Sequence, residues 1–257
     1  MKLVTLVENT STSDRITAEH GLSLYIETGA LKILFDMGQT DRFLKNAEQL
    51  GIDLSQVDFA VLSHGHYDHG GGLGAFLQIN TKAPVYIHKT AFGAYYNGTS
   101  KYIGLDQALM AEKRLIFTEG TFAITPQILL ADCNDLHWRN DPYGLNRKEQ
   151  DLFVPDDFRH EQYLQITEGE KRILLSGCSH KGILHIAKYF QPRVLIGGFH
   201  LNKVTDMQIL RETARDLMER NTRYYTGHCT GDAQFSVMKE VMGDQLERIS
   251  AGAVIQV

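Results

Sequence analysis

Apolar and polar positions along the chain fall into short blocks that predict a mixed α/β architecture. The Leu3-Val4-Thr5-Leu6-Val7 run near the start predicts a first β-strand. Leu22 to Glu27 and Lys32 to Asp36 lie on either side of Gly29, the pattern of a hairpin. From Asp41 to Leu50, the residues Phe43, Leu44, Ala47 and Leu50 recur at helical spacing and stop at Gly51. That predicts an amphipathic helix closed by a glycine C-cap. Val57 to Leu62 follows as an apolar strand that runs straight into a histidine-rich stretch.

Between Phe92 and Asp157 the period is lost, and long loops with short elements are expected there. Regular alternation returns with strands at Tyr163 to Thr167 and Arg172 to Ser176, joined by a Glu168-Gly169-Glu170 turn. A helix at Ile183 to Phe190 and a strand at Val194 to Ile196 come next. Thr205 and Gln208 stand at capping-box spacing before a second helix that runs to about Arg220. Strand Arg223 to Thr226, helix Asp232 to Met242 and strand Ala253 to Val257 complete the pattern. Hairpins followed by helical crossovers occur in both halves, which suggests two sheets with helices outside them. With no linker or low-complexity stretch, we expect a single domain over 1–257, with about 90–160 as a variable insertion and substrate-pocket region.

Composition narrows the function classes. Twenty-six Lys and Arg against 31 Asp and Glu leave a formal charge of -5, which argues against nucleic acid as the partner. Neither a secretory apolar stretch nor a membrane span is seen in the sequence. Three cysteines make no disulfide framework, so a reducing, cytoplasmic compartment is expected. The 11 histidines change the picture most.

His64, His66, Asp68 and His69 bring four imidazole and carboxylate groups into six residues directly after a predicted strand. Divalent transition metals are held by such groups when a rigid base makes them converge. Gly65 and the Gly70-Gly71-Gly72 run are expected to give the loop the backbone freedom to aim them.

The stretch Val61-Leu62-Ser63-His64-Gly65-His66-Tyr67-Asp68-His69-Gly70-Gly71 resembles the signature loop of the metallo-β-lactamase fold superfamily. The resemblance implies a four-layer αββα sandwich whose sheet edge holds one or two metal ions. His64 and His66 would serve the first metal, and Asp68 and His69 the second. Ile33-Leu34-Phe35-Asp36-Met37-Gly38 resembles the family's early strand, where the acid braces the ligand loop, although Asp36 could equally cap a helix. Tyr225-Thr226-Gly227-His228 resembles the last ligand motif; His200 competes for that role, and His228 suits the family spacing better. Cys178 stands where the family has a metal-bridging Asp, and it is read either as a soft ligand or as a small buried residue. For the remaining ligand position His160 and Glu161 are both at a suitable distance, and neither is preferred.

Glu8-Asn9-Thr10, Glu19-His20-Gly21-Leu22-Ser23-Leu24, Gly177-Cys178-Ser179-His180-Lys181-Gly182-Ile183 and Gly197-Gly198-Phe199-His200-Leu201 carry a closer resemblance. They resemble the branch called dihydropterin-type ribofuranosyl-aminobenzene phosphate synthases, which implies a phosphorylated or pterin-like small molecule as partner. His180 and His200 would then be pocket acids, bases or anion partners, beside Asp68 as a catalytic group. The resemblance implies zinc as the cofactor, one or two ions, with iron or manganese as alternatives. Two chemistries fit: hydrolysis of an ester or phosphoester by metal-activated water, and a synthase-type condensation on the same site. In the second, Tyr95, Tyr96 or Trp138 would stack on a ring. A metal-containing binding or sensing protein with little turnover is a third reading. His20, His88, His137 and His185 carry no assigned role.

Overall fold

The computed structural model describes residues 1–29, 31–135 and 143–257. In chain order, β1 (Lys2–Val7), β2 (Ser23–Thr28) and β3 (Leu31–Phe35) form a meander, followed by α1 (Arg42–Gln49) and β4 (Phe59–Val61). The short α2 (Tyr67–Gly70) leads to α3 (Leu73–Ile79), β5 (Val85–His88), β6 (Tyr95–Asn97), β7 (Lys101–Tyr102) and β8 (Leu115–Thr118). Next come β9 (Thr121–Thr125), β10 (Ile128–Ala131), β11 (Leu145–Glu149), β12 (Leu152–Pro155), β13 (Tyr163–Glu168) and β14 (Lys171–Ser176). The last part holds α4 (Ile183–Phe190), β15 (Val194–Gly197), α5 (Met207–Met218), β16 (Arg223–Thr226), α6 (Asp232–Met242), β17 (Leu246–Arg248) and β18 (Val254–Gln256).

Two compact units result. One comprises Met1–Glu119, Pro142–Gln162 and Ser250–Val257, and the other Gly120–Asp141 and Tyr163–Ile249. The first unit holds a seven-stranded sheet in the order β18-β1-β2-β3-β4-β5-β8 and a four-stranded sheet β12-β11-β6-β7. In the larger sheet β18, β1, β2 and β3 pair antiparallel, and β3, β4, β5 and β8 pair parallel. The second unit repeats that scheme. Its order is β17-β16-β15-β14-β13-β10-β9, antiparallel from β9 to β14 and parallel from β14 to β17. Parallel pairing needs crossovers, and helical crossovers bury their apolar stripes on the sheet. In the first unit α1 does so with Phe43 and Ala47, and α3 with Leu73, Phe76 and Leu77. In the second, Ile183, Ile186, Ala187 and Phe190 of α4 and Leu210, Ala214 and Leu217 of α5 are buried. Asn46 fixes α1 in register: its amide donates to Leu6 O (2.7 Å) and Thr17 O (2.9 Å) and its oxygen accepts from Thr17 N (3.0 Å). A buried amide with all these bonds made is not a burden on stability.

The predicted elements outside the middle region are found close to their expected bounds, α4 residue for residue. The short elements expected in the middle region are strands, β6 to β12, in which Tyr95-Tyr96, Ile116-Phe117 and Phe153-Val154 gain cross-strand neighbours that no local period announces. Two expectations are corrected. The N-cap of α5 is Asp206, whose side chain accepts from Gln208 N (2.8 Å), and not Thr205. Asp36 caps no helix, since α1 starts after Asp41.

In an open sheet with parallel strands, functional groups gather beyond the C-terminal strand ends. Asp36 follows β3, and His64, His66, Asp68 and His69 follow β4. In the second unit Cys178 and His180 follow β14, His200 follows β15 and His228 follows β16.

Candidate metal centre

The loop after β4 turns into α2, so His66, Asp68 and His69 leave the backbone within one turn of each other. His64 and His69 are fully buried, His66 nearly so, and the Asp68 side chain keeps 14% exposure, enough to reach a bound molecule. The rings of His64 and His69 lie 4.2 Å apart between centroids, and those of His64 and His66 4.6 Å apart. One ligand atom each from His64, Asp68 and His69 lies within 4.8 Å of the other two.

Glycine works here differently from the expectation of backbone freedom. None of Gly65, Gly70, Gly71 and Gly72 has a positive φ. They are needed for close approach: a Cβ at Gly65 would stand 2.0 Å from Ala91 O, one at Gly71 2.1 Å from Gln39 O, and one at Gly72 2.3 Å from Met37 O. The loop is therefore wedged between neighbouring backbones, which is the rigid base a metal site needs.

Asp36 locks the histidines. Its Oδ1 accepts from Ser63 N (2.7 Å), and its Oδ2 accepts from Ser63 Oγ (2.7 Å) and from His69 Nδ1 (2.7 Å). The Ser63 hydroxyl, having given its proton to Asp36, accepts from His64 Nδ1 at 2.8 Å. Both imidazoles thus carry their proton on Nδ1, which makes Nε2 the lone-pair nitrogen in each. This is the arrangement by which an outer carboxylate fixes the tautomer of a metal-ligating histidine. To deliver it, Asp36 adopts a left-handed conformation (φ 59°), which an Asp tolerates better than most residues. Burial alone would lower the His69 pKa, but the charges of Asp36, Asp68 and Glu161 and the Asp36 hydrogen bond outweigh it and raise it. That excess of negative charge around a buried imidazole is also what a divalent cation would neutralise.

Of the two undecided neighbours, Glu161 is fully buried and its charge acts on His69. His160 is engaged elsewhere: Nδ1 accepts from Gly65 N (2.9 Å) and Nε2 faces Asp156 Oδ2 (3.1 Å). Asp156 also stands 3.8 Å from His66 Nε2. Burial would raise the Asp156 pKa, but the charges of His160 and His66 and the His160 hydrogen bond hold it well below the usual carboxylate range. Sequence reasoning missed Asp156, which no motif marks, and His20. The His20 Nε2 lies 3.3 Å from Asp68 Oδ2. Its signal was the neighbouring Gly21: at φ 144°, with a Cβ there only 2.3 Å from Asp68 O, that glycine lets Leu22 N donate to the same carbonyl (3.3 Å).

In the second unit His180 and His200 are brought together, ring centroids 4.3 Å apart. His200 and His228 both take positive φ (51° and 49°). Cys229 Sγ accepts from His200 N (3.2 Å) and donates to Cys178 O (3.5 Å), so Cys229 braces the chain at both positions. Cys133, Cys178 and Cys229 are buried, and none of them is in a disulfide. Tyr95 is not an open stacking surface: its ring lies 3.9 Å from that of His160 and its hydroxyl donates to Thr90 O (2.6 Å). Tyr96 packs on Tyr102 and Phe153, while Trp138 and His137 lie outside the described residues. Among the described residues no helix is long and apolar enough to cross a membrane.

Residues 16–217 match the model of the metallo-β-lactamase superfamily. A protein of Methanocaldococcus jannaschii named 7,8-dihydropterin-6-methyl-4-(β-D-ribofuranosyl)-aminobenzene-5'-phosphate synthase is 28% identical, over 100% of this chain and 96% of its own. An uncharacterized protein of the same organism is 32% identical over 88% of this chain and 89% of its own. The crystal structure of Tm1679, described as a metal-dependent hydrolase of the β-lactamase superfamily, superposes with a TM-score of 0.82 at 28% identity, covering 100% of this chain and 99% of the other.

Proposed function

The chain belongs to the metallo-β-lactamase superfamily, and from that premise we propose that it is a metal-dependent hydrolase of an ester or phosphoester-type small molecule. The observation that carries the reading is the Asp36–Ser63 network, which leaves Nε2 of both His64 and His69 as lone-pair nitrogens in a group that includes Asp68. Such a donor set of nitrogen and carboxylate oxygen suits zinc first, and iron or manganese as alternatives. In this reading His64, His66, Asp68 and His69 hold the ion, with Glu161 as a further acidic ligand. When bound, the ion supplies Lewis acidity that polarises the ester oxygen and makes water acidic enough to attack near neutral pH.

The protein's own groups do the rest. Asp68, partly exposed, orients the attacking water and accepts its proton at Oδ2. His180 and His200 are proposed as acid, base or anion partners for a phosphorylated substrate. Cys178 and His228 are proposed as further ligands from the family resemblance. Whether the second unit supplies ligands is read from the metal stoichiometry of Cys178→Ser and His228→Ala.

A second reading is favoured by the full-length relative named as a synthase, which points to a pterin-like, phosphate-bearing substrate and a condensation in place of hydrolysis. Metal analysis of the purified protein, followed by a panel of esters, lactones and phosphodiesters, decides between them. Metal-dependent cleavage supports the hydrolase. Bound metal without cleavage, together with a thermal shift on adding a pterin, supports the synthase. Absence of bound metal, with unchanged stability of His64→Ala and His66→Ala, rejects both and leaves a binding protein.

A further inference from the structure

We infer that Cys229 and Thr230 are positioning residues that hold the turn carrying His200 so that its imidazole meets that of His180, and that the two rings together bind a phosphate group of the substrate. The choice of ligand rests on the proposed reading of His180 and His200 as anion partners; the placement of the rings does not.

The turn is built from hydroxyl groups upward. Thr226 Oγ1 donates to Gly197 O (2.7 Å), so at its 2.6 Å contact with Thr230 Oγ1 it is the acceptor and Thr230 the donor. With its proton so directed, Thr230 Oγ1 accepts from Phe199 N (3.0 Å). A second relay runs in the same sense: Ser179 Oγ donates to Gly198 O (2.7 Å) and therefore accepts from Ser176 Oγ (2.8 Å). Two hydroxyl chains of fixed direction thus end on consecutive carbonyls directly before Phe199 and His200. All four hydroxyl residues are fully buried.

Cys229 closes the turn. Its Sγ accepts from His200 N (3.2 Å), and its carbonyl accepts from Leu201 N and Asn202 N (3.1 Å each). Four consecutive N–H groups, from Phe199 to Asn202, therefore end on Cys229 and Thr230. The thiol occupies space that only a glycine leaves open, since a Cβ at Gly198 would stand 2.4 Å from Sγ. What this scaffold enforces is a left-handed His200 (φ 51°), a conformation uncommon outside glycine and kept only where the surroundings over-determine it. Residues held in this way cluster at ligand-binding and catalytic positions. In that conformation the His200 ring lies 4.3 Å from that of His180, which comes from the loop after β14. Two imidazoles from separate loops can offer ring N–H groups to one compact oxyanion, and a phosphate has the oxygens to accept from both.

The test uses the full-length chain as purified, with inorganic phosphate as the probe. Phosphate affinity is read by calorimetry, the His180 and His200 rings by their imidazole nitrogen and proton shifts, and folding by urea denaturation. Thr230→Val keeps the shape of the side chain but offers Phe199 N no acceptor, and Cys229→Ala leaves His200 N without one. Thr230→Ser and Cys229→Ser each keep an acceptor. Expected is phosphate binding about tenfold weaker or more in His180→Ala and His200→Ala. Thr230→Val and Cys229→Ala should bind it about 3- to 10-fold more weakly, the worth of one hydrogen bond, with displaced His200 shifts. The serine variants should return to wild-type shifts and affinity. Unmoved His200 shifts in either folded variant, Thr230→Val or Cys229→Ala, overturn the positioning role; if one of the two does not fold, the other decides. Phosphate bound equally well by wild type, His180→Ala and His200→Ala overturns the ligand assignment. No phosphate binding by the wild type removes the anion reading of both histidines and the ligand with it, and the positioning role is then decided by the His200 shifts alone.

Discussion

Replacing Asp36 by asparagine separates the hydrogen-bonding role of this residue from its backbone role. Asparagine tolerates the left-handed φ of 59° found here, so the turn after β3 is kept. The side-chain oxygen can still accept from Ser63 N, but the amide now points a donor at Ser63 Oγ and His69 Nδ1, both 2.7 Å from the present Oδ2. Two charge-assisted bonds are lost, at about 1.5–3 kcal/mol each. Part is recovered when the Ser63 hydroxyl rotates and the His69 proton moves to Nε2, so the net cost is about 2–4 kcal/mol. That lies inside a typical margin of about 5–15 kcal/mol, and the variant folds at room temperature. The proton on Nε2 must then be removed before that nitrogen can bind a cation, which predicts a zinc affinity roughly 10- to 100-fold weaker. Urea denaturation of the metal-free chain measures the first number and chelator competition the second. Asp36→Ala adds the cost of a left-handed alanine, about 1–2 kcal/mol. Zinc affinity of Asp36→Asn within twofold of wild type, with the His69 proton still on Nδ1, would refute the tautomer argument.

Further outcomes follow from other parts of the fold. Gly71→Ala places a Cβ 2.1 Å from Gln39 O and 2.5 Å from Tyr67 O, backbone atoms that cannot turn aside, and it should lower the urea midpoint by the equivalent of about 1–3 kcal/mol or more. Asp206→Ala removes the side-chain cap of α5 and should cost about 1 kcal/mol in the same assay, with zinc affinity unchanged. Burial pushes the Tyr224 phenol up to about 12. A folded value above the ordinary one, about 10, means that its contribution is complete below pH 10 and is lost as pH rises from 10 to 12. Tyr224→Phe should flatten the alkaline limb of the stability profile, and an unchanged slope would exclude this tyrosine as its source. Stripping the protein with chelator should lower its melting temperature, and zinc at 100 times its dissociation constant should restore about 2.7 kcal/mol, while His64→Ala should show no such response.

The sequence by itself determined the class of fold and the place of the loop. Helices and strands with a clear period, α4 and β14 above all, are set by burial of one face, and periodicity reports that directly. Spacing alone also exposed His64, His66, Asp68 and His69, since so dense a set of imidazoles and carboxylate is rare without a ligand. Tertiary structure decided what those residues can do. Asp36 and Ser63 lie 27 positions apart, and Gly65 and His160 lie 95 apart. Such partners are chosen by the parallel pairing of β3 with β4 and by the turn after β12, and no local pattern encodes them. The reassignment of the loop glycines has the same origin: a positive φ is a property of one residue, whereas the absence of room for a Cβ is a property of two chains of backbone meeting. His160 and Glu161 are adjacent in sequence and equivalent in spacing, and only the hydrogen bonds to Gly65 and Asp156 set the first apart from the second.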